Sequence, residues 1–378
     1  MTDTLLAAFK KIMSMSDFQT TFVQYAFYGA YFCFALPAAI LIKKYTYKTG
    51  ILIGLGMFIV GAMLFYPASQ TMEYWHFLAA LYILAGGLSF LETSANPYIV
   101  TMGPESTGTQ RLNLAQSFNP VGSITGVVLS QQFILSNLNS ASATEELSAV
   151  MGPYVGVAVV LLVLWILIAI TKMPKASDDG DSLNLGPAVS RLMKNRNYVM
   201  AVLAQFFYVG AQICVWSFTI RYVMGELNLN EADAADYYIY SLVTFLLARF
   251  VCTWLMKFVS PARLLMYLSA LAVLLTAGVI LGSGLVGVVS LIAISACMSL
   301  MFPTIYGLGL EGLGEDTKIG GSGLVMAILG GAVITGIQGQ VSDATGSIHM
   351  AYWVPLVCFV FVAYYGYFAE KSPQLNAE

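Results

Sequence analysis

Glu92 is the acidic residue of this sequence with the clearest potential for chemistry, because it lies deep within a long apolar stretch. A carboxylate at membrane depth costs on the order of 2.5–3.5 kcal/mol, so a proton, a bound ligand or a buried base must stabilise it. Asn96 follows four residues later, on the same helical face, and Pro97 then removes a backbone hydrogen bond. We predict that Glu92 couples transport to protons and that Asn96 contacts substrate. The alternative is a structural carboxyl group, permanently protonated or paired between helices.

Three amide side chains follow at intervals of three residues: Asn113, Gln116 and Asn119. Amides inside a membrane either join helices by hydrogen bonds or bind the hydroxyl groups of a sugar. Both interpretations stay open for Asn113. Gln116 and Asn119 lie deeper in the apolar segment, which favours contact with a ligand.

A further segment combines amides and aromatic rings at helical spacing: Gln205, Tyr208, Gln212 and Trp216. Proteins bind sugars with such mixtures, because amides pair with the hydroxyls and rings pack on the apolar C–H face. We predict that this face contacts substrate; ordinary helix packing is the alternative. Arg249, in a later segment, is expected to snorkel or to form a structural pair at an inner gate.

These residues belong to a chain that must cross a membrane many times. Of its 378 residues, 58% are hydrophobic and 10% are charged, whereas soluble domains carry about 25% charge. Each span must be a helix, because only a helix satisfies its own backbone in lipid. We predict eleven complete spans, at about 18–42, 51–69, 76–102, 109–135, 152–171, 198–223, 236–256, 262–283, 285–309, 322–341 and 350–369.

Composition also argues against several functions. The net charge of −3 comes without a basic block, so we expect no nucleic-acid partner. The five cysteines are scattered along the spans, which indicates neither disulfides nor a metal site. No paired nucleophile and base and no nucleotide-binding motif is present in the sequence. We therefore expect a transporter rather than an enzyme, with no cofactor and the proton as its coupling ion.

The loops divide by charge, and this predicts the orientation. Lys and Arg gather in one set of loops, which the positive-inside rule assigns to the cytoplasm together with the C-terminus. Eleven spans would then place Met1 outside. We expect instead that the chain begins inside a twelfth helix, through a truncated or misassigned start. Asp3 is then either a solvated terminal acid or a second carboxylate at the end of that helix.

The two halves of the sequence repeat in parallel. SANPYI at 94–99 is similar to MFPTIY at 301–306, with 206 residues between their prolines, and two other pairs of short motifs have comparable offsets of 210 and 214 residues. Parallel repeats are the design of major facilitator transporters. We predict an all-α polytopic membrane protein with two six-helix halves, the first helix nearly absent. The N-terminal bundle would cover 1–171, a cytoplasmic linker 172–196 and the C-terminal bundle 197–378.

Long motifs such as FLETSANPYIVTMGPESTGTQRLNLAQSFNPVGSITG and AVLAQFFYVGAQICVWSFTIRY resemble the fucose:proton symporter family of the major facilitator superfamily. The resemblance implies import of L-fucose with a proton by alternating access, in a bacterial inner membrane and as a monomer. It implies that Glu92 and Asp3 carry protons and that Gln116 and Asn119 bind sugar. A glucose/galactose or N-acetylglucosamine symporter, or a sugar-binding paralogue without transport, are the alternatives.

Overall fold

The computed structural model describes residues 17–71, 73–129, 143–174 and 185–372. Asp3 lies outside these residues. The regular structure in them is helical, as predicted. The helices are α1 (Asp17–Lys44), α2 (Tyr47–Thr71), α3 (Tyr74–Thr101), α4 (Gly108–Gln116), α5 (Asn119–Leu129), α6 (Ala143–Ile170), α7 (Leu185–Lys194), α8 (Arg196–Leu227), α9 (Glu231–Leu255), α10 (Pro261–Leu281), α11 (Gly284–Met298), α12 (Met301–Leu310), α13 (Thr317–Met326), α14 (Gly330–Thr345), α15 (Ile348–Ala351) and α16 (Trp353–Glu370).

Within the described residues, nine helical segments are long and apolar enough to cross a membrane, and α6 supplies a shorter apolar stretch. Over the described residues the predicted spans coincide with helices, but four of them are divided between two helices. The span at 109–135 is divided into α4 and α5, the span at 285–309 into α11 and α12, the span at 322–341 into α13 and α14, and the span at 350–369 into α15 and α16. Pro120 and Pro303 lie in the first turns of α5 and α12, where a missing backbone N–H is tolerated.

The chain forms two compact units. Unit 1 comprises Met1–Tyr98 and Gly122–Leu183, and unit 2 comprises Ile99–Val121 and Asn184–Glu378. The segment that contains α4 therefore belongs to unit 2, although it lies between two stretches of unit 1. The division into bundles at 1–171 and 197–378 stays a prediction.

In unit 1, α2 is the element that contacts both α3 and α6. A Cβ added at Gly87 of α3 would lie 2.6 Å from the carbonyl oxygen of Gly54 on α2, so the two backbones meet at glycines. On the other side, Trp165 Nε1 of α6 donates to the carbonyl of Leu52 at 2.9 Å. Lys48 Nζ donates to the carbonyls of Ala169 and Thr171, both at 2.8 Å, and so satisfies the C-terminal end of α6.

In unit 2, α8 is the central helix. Its residue Asn197 donates from Nδ2 to the carbonyl of Leu308 on α12 at 2.8 Å. A Cβ at Gly330 would lie 2.0 Å from the carbonyl oxygen of Phe206, which shows how closely α14 approaches α8. The helix pair α10 and α16 is joined by an ion pair between Arg263 and Glu370 at 2.6 Å.

One end of unit 2 is held by a histidine and a glutamate. His349 Nε2 lies 2.7 Å from Glu226 Oε1, and His349 Nδ1 lies 3.0 Å from the carbonyl of Val279. Glu226 also accepts the backbone N–H of Gly284 at 2.5 Å. These contacts connect the ends of α8 and α10 to the beginnings of α11 and α15.

We expect His349→Ala to lower the stability of the protein. The substitution leaves a half-buried carboxylate and a carbonyl without their imidazole partner, which costs about 1–3 kcal/mol. In a chain of this size that lowers the melting temperature by about 1–4 °C. Thermal unfolding in detergent measures it. His76→Ala is the matched control, because His76 is exposed and contacts Thr71 only at the surface; equal shifts in both variants would contradict the structural role.

Candidate functional site

The carboxyl group of Glu92 lies on α3, nine residues before the helix ends at Thr101 and so about 13 Å along its axis. Asn96 is 4% exposed and donates a hydrogen bond from Nδ2 to Glu92 Oε2. The predicted carboxylate and amide therefore meet on one face of the span. Glu92 is half-buried, so its carboxyl group keeps some accessible surface.

The backbone around Glu92 is polar for a membrane span. Pro97 removes the N–H that would bond the carbonyl of Thr93, yet α3 continues through it. Thr93 Oγ1 is buried and has no hydrogen-bond partner within the described residues. Ser89, on the same face, instead donates to the carbonyl of Tyr31 at 3.1 Å and ties α3 to α1.

The three amides predicted at intervals of three residues, Asn113, Gln116 and Asn119, lie on either side of the break between α4 and α5. Asn113 is fully buried and donates from Nδ2 to Thr304 Oγ1 at 3.1 Å, which is the contact expected of an amide that joins helices. Gln116 ends α4 and is half-buried, whereas Asn119 begins α5 and is exposed. The last two side chains thus flank a short non-helical segment.

The four residues of the predicted amide and aromatic face all lie on α8, but their surroundings differ. Gln205 is fully buried, and neither side-chain atom of its amide has a hydrogen-bond partner within the described residues. Tyr208 is also fully buried, and its hydroxyl donates to the carbonyl of Met298 at 3.0 Å. Gln212 and Trp216 are half-buried, and Trp216 Nε1 donates to Ser295 Oγ at 3.3 Å. The accessible part of this face is therefore at Gln212 and Trp216.

The predicted residues lie in both units. Glu92 and Asn96 belong to unit 1. The three amides at the break between α4 and α5 and the four predicted residues on α8 belong to unit 2. Their roles in proton coupling and substrate binding stay predictions. In the part of the chain that is described, no group of three His, Cys, Asp or Glu side chains is placed to hold a metal ion.

The analysis of the sequence missed one buried amide, and it left two alternatives open for Arg249. Gln338 on α14 is fully buried, and within the described residues its side-chain amide has no hydrogen-bond partner. Arg249 on α9 is 2% exposed and donates to the carbonyl of Gln116 at 2.8 Å, so it does not snorkel to the surface and instead forms a structural contact. The sequence signals the freed carbonyl of Gln116, because Pro120 follows Gln116 by four residues, but it does not indicate which side chain donates to that carbonyl.

Comparison with known proteins assigns this chain to a family. The Major Facilitator Superfamily model matches residues 1–336. The chain is 39% identical to the L-fucose-proton symporter of Haemophilus influenzae, covering 98% of this chain and 92% of that protein. It is 40% identical to the L-fucose-proton symporter of Escherichia coli K12, covering 98% and 89%. Its fold matches the crystal structure of FucP in the outward conformation with a TM-score of 0.89 over 98% of this chain and 94% of that one. The chain belongs to the Major Facilitator Superfamily, in the group that contains the L-fucose-proton symporters.

Proposed function

We propose that this protein is a secondary active transporter that carries L-fucose together with a proton across the membrane. The observation that carries the proposal is the hydrogen-bonded pair of Glu92 and Asn96 inside a membrane span, in a chain about two-fifths identical to L-fucose-proton symporters. A carboxyl group at this depth binds and releases one proton in each cycle at a cost that the proton gradient covers. Transport needs no further cofactor.

Sugar binding is assigned to the amides that flank the break between α4 and α5 and to the accessible face of α8. Gln116 and Asn119 would pair with sugar hydroxyls, and Trp216 would pack against the apolar face of the ring. Gln205, Tyr208 and Asn113 are buried, so they would support the site from behind unless the helices move apart during alternating access. Asp3 is proposed as a second proton-binding carboxylate.

The chain would reside as a monomer in the inner membrane of a bacterium, with its C-terminus in the cytoplasm. The clustering of Lys and Arg in one set of loops supports this orientation. The transporter would then import its sugar, because the proton gradient is directed inward.

The experiment is to follow external pH in lightly buffered, de-energised cells that express this chain. On addition of L-fucose we expect alkalinisation, because each imported sugar removes a proton from the medium. Galactose and N-acetylglucosamine are added in parallel, and cells without the chain are the control. A response to another sugar alone would reassign the substrate. Silence with all three sugars, together with measurable L-fucose binding by purified protein, would identify a paralogue that binds without transport.

A further inference from the structure

Two of the divided spans, at 109–135 and 285–309, share a feature of their backbone. In each, a proline follows the last turn of the first helix: Pro120 lies four residues after Gln116, and Pro303 four residues after Ser299. In a continuous helix, the N–H of the later residue would bond the carbonyl of the earlier one, and proline lacks that N–H. At membrane depth another donor must satisfy each carbonyl group.

The guanidinium group of Arg249 donates to both carbonyls. Its Nη1 lies 2.8 Å from the oxygen of Gln116, and its Nε donates to the oxygen of Ser299. Two neighbouring carbonyls have other donors. Ser117 Oγ donates to the carbonyl of Asn113 at 2.9 Å, and the hydroxyl of Tyr208 donates to the carbonyl of Met298. One side chain of α9 therefore holds the ends of α4 and α11.

The surroundings also explain how a cation can be buried here. The C-terminal end of a helix carries about half a negative charge, so two such ends together offset roughly one positive charge. The guanidinium carbon of Arg249 also lies 4.6 Å from the centre of the Phe245 ring. Trp216 packs edge-on against the same ring at 5.1 Å, which connects the arginine to a residue assigned to sugar binding.

We infer that Arg249 is a positioning residue of the sugar site: it holds the proline-opened ends of α4 and α11 so that Gln116, Asn119 and Trp216 keep their geometry. The inference rests on the proposed function, because those three residues are assigned to sugar only there. Lysine cannot replace this arginine, since a single ammonium nitrogen does not provide the planar fork that reaches two carbonyls at once.

The test is a double-mutant cycle in the purified full-length protein. Arg249→Lys is made in the natural sequence and in a Pro120→Ala, Pro303→Ala background, where the restored N–H groups are able to bond both carbonyls. The measurements are the dissociation constant for radiolabelled L-fucose and the melting temperature in detergent. Arg221→Lys is the control, because Arg221 is an exposed arginine on α8.

We expect Arg249→Lys to weaken L-fucose binding at least tenfold in the natural sequence and less than threefold in the alanine background. Arg221→Lys should change it less than twofold. An equal effect of Arg249→Lys in both backgrounds, or none in either, would overturn the inference. If the unmodified protein binds no L-fucose, the proposed function fails. In that case the melting temperature alone tests whether Arg249 holds the two helix ends. Arg249→Lys must lower the melting temperature more in the natural sequence than in the alanine background.

Discussion

Glu92→Gln is expected to abolish accumulation of L-fucose against a gradient while preserving sugar exchange across the membrane. The amide cannot bind and release a proton, but its oxygen can still accept the hydrogen bond from Asn96. One proton moving through 100 mV supplies about 2.3 kcal/mol, enough for roughly a 50-fold sugar gradient. In the variant this gradient should fall to about onefold. Uptake and counterflow of labelled L-fucose in proteoliposomes with an imposed membrane potential of about 100 mV measure both activities.

Glu73→Gln is the matched control for this experiment, because Glu73 is an exposed acid between α2 and α3. Its accumulation ratio should equal that of the unmodified protein. If Glu92→Gln still accumulates L-fucose at the normal level, Glu92 is not the residue that couples transport to protons. Loss of exchange as well as accumulation would show that Glu92 is needed for sugar movement itself, and not only for coupling.

Asn119→Ala is expected to weaken L-fucose binding by roughly 10- to 100-fold. Asn119 is exposed at the first position of α5, so truncation leaves sugar hydroxyls without a partner but removes no buried packing. An unpaired polar group in a binding site costs about 1–3 kcal/mol, which corresponds to that loss of affinity. Equilibrium binding to the purified protein measures it, with the melting temperature as a check on folding.

The matched control removes an amide elsewhere. Asn228 ends α8 in a left-handed conformation with φ of 52°, which glycine also adopts readily. Asn228→Gly should therefore leave L-fucose affinity within twofold of the unmodified protein. If Asn119→Ala binds as tightly as Asn228→Gly does, the sugar contacts must be reassigned to α8, where Trp216→Ala becomes the next variant to measure.

Hydropathy and charge were enough to predict the class of this protein and the positions of its apolar helices. About 20 apolar residues suffice to span the bilayer, and a helix satisfies its own backbone there, so both properties are local. The same argument identified Glu92 and Asn96, because spacing of four residues on a helix brings two side chains together whatever surrounds them. The family could also be recognised from the sequence, because long motifs are compared residue by residue and this comparison needs no tertiary structure.

Only the tertiary structure decided where the spans are interrupted and what satisfies the interruptions. A proline inside an apolar segment is compatible with a continuous helix, as at Pro97, or with a break, as at Pro120. The outcome depends on whether another part of the chain supplies a donor for the freed carbonyl. For Gln116 that donor is Arg249, which is 133 residues away in sequence. Periodicity cannot reveal such a contact, because a helical pattern relates residues one or two turns apart and carries no information about which helix becomes the neighbour.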